Sequence, residues 1–151
     1  MKYSADVPFL RNVDDEPVLD RTSDTDRKLS RQPKESRARV KWMGGDAETG
    51  PWVYWIEVPA GSITRPHRHF APRIEFVLEG AIEWFQGDDA LELLKEEPEK
   101  AGIRYGPGSM SYMPPGTLYG YRILEDARML HVFFANPVGA GTAYQRDDDA
   151  G

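Results

Sequence analysis

The chain has 151 residues, no cysteine and a formal net charge of −6. That length fits one domain with a real core, and the missing cysteines exclude disulfides, a thiolate nucleophile and Cys-ligated zinc, so a metal would have to take histidine, carboxylate, tyrosine or water. Residues 1–48 hold ten acidic and ten basic side chains, so the acidic excess lies wholly in residues 49–151, which argues against phosphate binding as the main function. No stretch approaches ~18 consecutive apolar residues, and the start has neither a basic nor an apolar leader segment. A soluble, cytoplasmic protein with no membrane and no nucleic-acid partner is therefore expected.

Residues 1–38 are poor in apolar periodicity and rich in Asp, Arg, Ser and Pro, and read as an extended arm with at most a short strand near Val7 to Leu10. Phe9, Leu10, Val13, Val18 and Leu19 are apolar beads that would fill grooves on the barrel or on a partner subunit. Arg27 to Lys41 carries seven basic residues against Glu35 alone, but lacks aromatics for base stacking before Trp42. It reads as a solvated arm.

From Arg39 the pattern changes. ARVKWM and PWVYWIEV flank a Gly-rich loop and predict a hairpin, with Trp52, Tyr54, Ile56 and Val58 on one face and Val53, Trp55 and Glu57 on the other. PHRHF, RIEFVLEG and AIEWFQG follow as short β-like runs divided by Pro and Gly. The segment from Gly87 to Gly102 is the one good helix candidate, with Asp88 or Asp89 as N-cap and leucines at 91 and 94. GIRYGPGSMSYMPPG, LYGYRIL and ARMLHVFFANP complete the strands, and residues 138–151 read as a solvated tail. Many short strands with Gly and Pro turns and no βαβ alternation predict an all-β sandwich or jelly roll over residues 39–137.

Two of the three histidines, His67 and His69, are separated by one residue. On a strand both imidazoles project from one face, about 6.5–7 Å apart along the chain, so two nitrogens can converge on one ion. Arg73, Glu75 and Val77 share a face by the same alternation. His131 shares its face with Met129 and Phe133, which predicts a packing or pocket-lining role; its phase relative to the interior decides whether it reaches the other histidines.

Gly61 to Gly80, GSITRPHRHFAPRIEFVLEG, and the later GPGSMSYMPPGTLYG resemble the two signature motifs of the cupin superfamily. Gly61, His67, His69 and Gly80 match the first motif, and Gly108, Pro114 and Gly116 the second. Arg73 stands where the family usually keeps a glutamate, and Tyr119 where it keeps a third histidine. HRHFAP, VLEG, YGPGS and PPG look most like small single-domain dioxygenases of the 2,4'-dihydroxyacetophenone dioxygenase type. The resemblance implies a single-domain jelly roll, the double-stranded β-helix, and a divalent metal. Iron(II) is favoured, zinc, manganese and nickel are alternatives, and a metal-free pocket stays open. His67, His69 and Glu75 would be the ligands, a 2-His-1-carboxylate set suited to non-haem iron, with His131 or Tyr119 able to complete it. Arg73 would pair with Glu75 or hold an anionic substrate, and Tyr119 would act as general acid or hydrogen-bond donor.

Three functions compete on these residues. The first is an iron dioxygenase acting on a small carbonyl, enol or hydroxyaryl ketone. The second is a non-redox isomerase, lyase or cyclase using Tyr119, a histidine and Glu75 as acid and base. The third is a small-ligand-binding module without turnover. The many aromatics predict a partly apolar or aromatic ligand, and the arm and sheet edges predict a homodimer.

Overall fold

Runs of β-branched and aromatic residues, punctuated by Gly and Pro, form strands because such side chains pack well on a pleated surface. The computed structural model describes residues 13–19, 37–45, 50–69, 71–87, 102–134 and 145–146. It contains β1 (Arg39–Gly45), β2 (Trp52–Val58), β3 (Ile63–Arg68), β4 (Arg73–Gln86), β5 (Ile103–Tyr105), β6 (Met110–Met113), β7 (Tyr119–Phe133) and β8 (Gln145–Arg146). Among the described residues every regular element is a strand, and none is a helix long and apolar enough to cross a membrane. The expected helix falls on residues 88–101 and the expected strand near Val7 to Leu10 on residues 7–10, both outside the described residues.

The long strands β4 and β7 organise the fold. Their first and second halves pair antiparallel along almost their whole length, from Arg73↔Phe133 to Gln86↔Tyr119. The N-terminal half of β4 and the C-terminal half of β7 join β2, β1 and β6. Their other halves join β5 and β3, and β8 pairs with β3. One antiparallel sheet thus runs through the two long strands, with β2, β1 and β6 at one end of the pair and β5, β3 and β8 at the other, as expected for a jelly roll.

Sequence punctuation divides each of these strands in two, at Gly80 and at Glu125–Asp126, whereas the chain runs straight through. The ladder absorbs the break as register shifts between Val77 and Ile82. Gly80 is needed there: its φ is +83°, and a Cβ on it would lie 2.3 Å from the Asp126 carbonyl oxygen.

The predicted alternation of β2 holds, with Trp52, Tyr54, Ile56 and Val58 buried and the residues between them half-buried. Two inward rows cross four strands: Trp52, Phe133, Arg73 and Met113, then Tyr54, His131, Glu75 and Ser111. Val77, Ile82, Ile123 and Met129 fill the core, each at most 1 % exposed. Burying such a side chain stabilises by roughly 1.5–3 kcal/mol. Trp52 stacks on Phe133 with centroids 5.0 Å apart.

The described part of the arm lies on the barrel. Val18 bridges Lys41, the Leu19 amide donates to the Val40 carbonyl at 2.8 Å, and Lys41 Nζ donates to the Val13 carbonyl at 2.8 Å. Leu19 packs against the core.

Candidate functional site

His67 lies on β3 and His69 one residue beyond its end. Their rings meet edge to face with centroids 4.9 Å apart, so the HXH spacing does bring both imidazoles together. The position of His69 is fixed from the second motif: Gly116, in a left-handed turn at φ +78°, donates its amide to the His69 carbonyl at 2.8 Å. Tyr119 opens β7 directly opposite His67 in the ladder. Its hydroxyl lies 2.6 Å from His67 Nε2, a short hydrogen bond between groups 2 % and 3 % exposed.

Arg73 and Glu75 lie two apart on β4 and both face inward, 1 % and 2 % exposed. Arg73 Nη2 is 2.8 Å from Glu75 Oε1. The approach is short but off the hydrogen-bonding direction, so the attraction is mainly that of opposite charges. The guanidinium also lies over two rings, 4.6 Å from the Tyr119 centroid and 5.6 Å from that of Phe133. It therefore links the carboxylate to the tyrosine–histidine pair.

His131 faces inward, because Tyr54, His131 and Glu75 occupy one cross-strand row. Its Nε2 lies 3.6 Å from Glu75 Oε1. Burial lowers its pKa to about 4; the Glu75 charge opposes that shift and the Arg73 cation adds to it. The imidazole is neutral at pH 7.

Two neighbours do not emerge from the motifs. Ser111, opposite Glu75 in the ladder, sits with its hydroxyl 3.5 Å from Glu75 Oε2, at the limit of a hydrogen bond. Tyr105 on β5 is held protonated: burial raises its pKa, the Glu75 carboxylate and Tyr121 raise it further, and the Arg73 cation opposes them. Alternation in MSYM places Ser111 and Met113 on one face. Only the register shows that the face looks inward.

His67, His69 and Glu75, the expected ligand set, are not gathered around one point. Among the described residues no three His, Cys, Asp or Glu side chains are grouped to hold a metal ion. Glu75 is turned to Arg73 and His131, while His67 is turned to Tyr119. A fixed guanidinium with almost no access to water stands among the would-be ligands, and its charge opposes a divalent cation there. These residues do not fit a metal centre; the positive charge inside the barrel is Arg73.

An open cleft of about 460 Å³ lies elsewhere, near Val58 at the opposite end of β2 from Trp52. Its charged lining is largely self-paired, Arg39 with Glu57 at 3.0 Å and Arg128 with Glu79 at 2.9 Å. It contains none of the histidines.

No family model matches the chain, and no curated protein matches it in sequence. Solved structures do. An RmlC-like cupin from Shewanella frigidimarina NCIMB 400 is similar with a TM-score of 0.57 and 12% identity, over 82% of this chain and 86% of that one. KdgF from Halomonas sp. is similar with a TM-score of 0.51 and 21% identity, over 79% and 90%. The DMSP lyase DddQ from Ruegeria pomeroyi DSS-3 is similar with a TM-score of 0.50 and 21% identity, over 69% of this chain and 46% of that one. At such identities the likeness defines the fold, which is the cupin double-stranded β-helix. Nothing in these likenesses supports the narrower resemblance to the 2,4'-dihydroxyacetophenone dioxygenase type.

Proposed function

We propose that this chain is a cupin-fold enzyme that catalyses proton transfer next to a carbonyl or carboxylate group, an isomerisation or a lyase-type elimination, without a metal. The observation that carries the reading is the buried 2.6 Å contact between the Tyr119 hydroxyl and His67 Nε2, with the Arg73 cation 4.6 Å from the same ring. As the phenolic oxygen takes a proton from the substrate carbon, the phenol's own proton passes to His67 Nε2. The electron pair left on the substrate moves to the carbonyl oxygen as an enolate, whose charge Arg73 offsets in a low-dielectric interior. Where the deprotonated carbon carries a hydroxyl, the enediolate takes the proton back at the former carbonyl carbon and the hydroxyl becomes the new carbonyl, which is isomerisation; where the next carbon along carries a leaving group, its loss as the carbonyl re-forms is elimination. Glu75 and His131 position the guanidinium, and Tyr105 remains a neutral donor. Phe133 beside His69, and Trp84 stacked near Tyr119, favour a small, partly apolar or aromatic ligand. A likeness in fold to a lyase agrees with elimination.

Oxygen-dependent carbon–carbon cleavage, which the motif resemblance implies, is the second reading. The pairing of His67 and His69 at 4.9 Å favours it, but it needs an iron that this donor set does not fit. The test uses the purified protein on hydroxyaryl ketones, diketones and β-substituted carboxylates. Metal content, oxygen uptake and solvent deuterium incorporation at the α-carbon are measured with and without chelator. Deuterium incorporation or elimination that survives chelator and disappears in Tyr119→Phe is the expected result. Stoichiometric iron with oxygen uptake abolished by chelator would replace the proposal with the dioxygenase reading. Tight ligand binding with neither reaction would make the chain a binding module.

A further inference from the structure

The barrel interior holds a hydrogen-bond donor that the proton-transfer chemistry does not use. Trp84 lies on β4 opposite Tyr121 of β7, on the inward face with Ile82, and packs against the core. Its ring is nearly parallel to that of Tyr119, at 21° with centroids 6.2 Å apart, and Tyr119 is nearly parallel to Tyr121 at 23°. The indole Nε1–H is buried and meets no acceptor among the described residues. A buried indole can only donate, it usually finds an acceptor, and leaving it without one is costly. Packing alone does not call for that cost, because a phenylalanine ring would fill the same face without an N–H.

A second donor lies beside it. Tyr105 on β5 pairs with Ile82, two residues from Trp84, so the two aromatic side chains are diagonal neighbours on one face. Its phenol is kept protonated first by burial and then by the Glu75 carboxylate and Tyr121, with Arg73 opposing them. Both groups therefore donate without carrying charge, and the field that holds the phenol neutral also disfavours a second anion there.

We infer that the Trp84 N–H and the Tyr105 hydroxyl form a second subsite, which takes an uncharged oxygen set on a planar, ring-bearing substrate apart from its reacting carbonyl. This rests on the reading that the reacting group lies at Tyr119 and Arg73, and adds a selection that the reaction itself does not make. A hydroxyl, keto or amide oxygen satisfies the donors, a methyl group leaves them unpaired, and a carboxylate meets the repulsion of Glu75. The rings of Trp84 and Tyr119 are close enough for one small molecule to touch both. The indole is only partly buried, so turning it about its side-chain bonds presents the N–H to that molecule.

Isothermal titration calorimetry on the full chain tests this with hydroxy-, methyl- and carboxy-substituted acetophenones, each as its ortho, meta and para isomer. In wild type the best hydroxyl isomer should bind at least about tenfold tighter than its methyl and carboxylate counterparts. In Trp84→Phe the preference for hydroxyl over methyl should fall by at least about threefold, whereas Trp55→Phe on the outer face of β2 should keep it. Comparing two ligands on one variant cancels the lost ring area, so a purely packing role leaves the preference unchanged. Tyr105→Phe, which removes only a hydroxyl, carries the same test should Trp84→Phe fail to fold. Absence of binding by every isomer, a carboxylate bound as tightly as the hydroxyl, or an unchanged preference in folded Trp84→Phe overturns the inference. Solvent deuterium exchange into the ketone, followed in parallel, separates the two readings. A Trp84-dependent preference without exchange supports the subsite and removes the proton-transfer reaction, and exchange with a preference indifferent to Trp84 does the reverse.

Discussion

Replacing Arg73 by Met leaves Glu75 as a charge 2 % exposed, with a neutral histidine at 3.6 Å and a serine at 3.5 Å beside it and no cation in the ion pair. Replacing Glu75 by Leu strands the guanidinium in the same interior. Either single change should cost about 3–5 kcal/mol, the usual result of removing one partner of a buried pair. Replacing both at once removes two charges that folding must strip of water. The double variant Arg73→Met/Glu75→Leu should therefore lie within about 1–2 kcal/mol of wild type, a coupling of several kcal/mol between residues 2.8 Å apart. Urea unfolding followed by tryptophan fluorescence measures all four proteins, and the singles should melt lower by at least about 6–10 °C. Two single losses below about 1 kcal/mol, or a double loss equal to their sum, would refute the view that Arg73 and Glu75 form one desolvated unit.

Three further outcomes are expected. Tyr119→Phe removes the hydroxyl from His67 and should cost only about 1–3 kcal/mol in stability while lowering turnover about 10²–10⁴-fold, so unfolding and activity measurements should separate widely. The His131 pKa of about 4, against 6.5 when unfolded, means that the unfolded chain binds more protons between those values. Stability should therefore fall as pH drops from 6.5 to 4, by about 3 kcal/mol from this residue, and unfolding curves of His131→Phe should lose that part of the slope. Gly80→Ala places a Cβ against the Asp126 carbonyl at a φ of +83° and should cost at least about 1–3 kcal/mol, checked by its urea midpoint.

Particular residues show how far the chain could be read without its structure. The hairpin of β1 and β2, the faces of β2, and the common face of Arg73, Glu75 and Val77 follow from a period of two, which is local. The continuity of β4 and β7 does not, because a glycine at a strand crossing and a glycine in a turn look alike in sequence. Gly80 is recognisable as a crossing only from the approach of Asp126 across the sheet.

The candidate site divides along the same line. Sequence alone determined that His67 pairs with His69, that Arg73 and Tyr119 occupy unusual positions, and that a carboxylate lies two residues from the arginine, since each depends on neighbours along the chain. Tertiary structure alone decided which partner each group takes. Tyr119 meets His67 across β3 and β7, Glu75 meets His131 across β4 and β7, and Ser111 and Tyr105 arrive from β6 and β5 at positions the motifs do not specify. Those meetings depend on the register between distant strands. A slip of one residue would turn the same side chains outward, so whether Arg73 lies among the ligands or in solvent is a property of the sheet rather than of the motif.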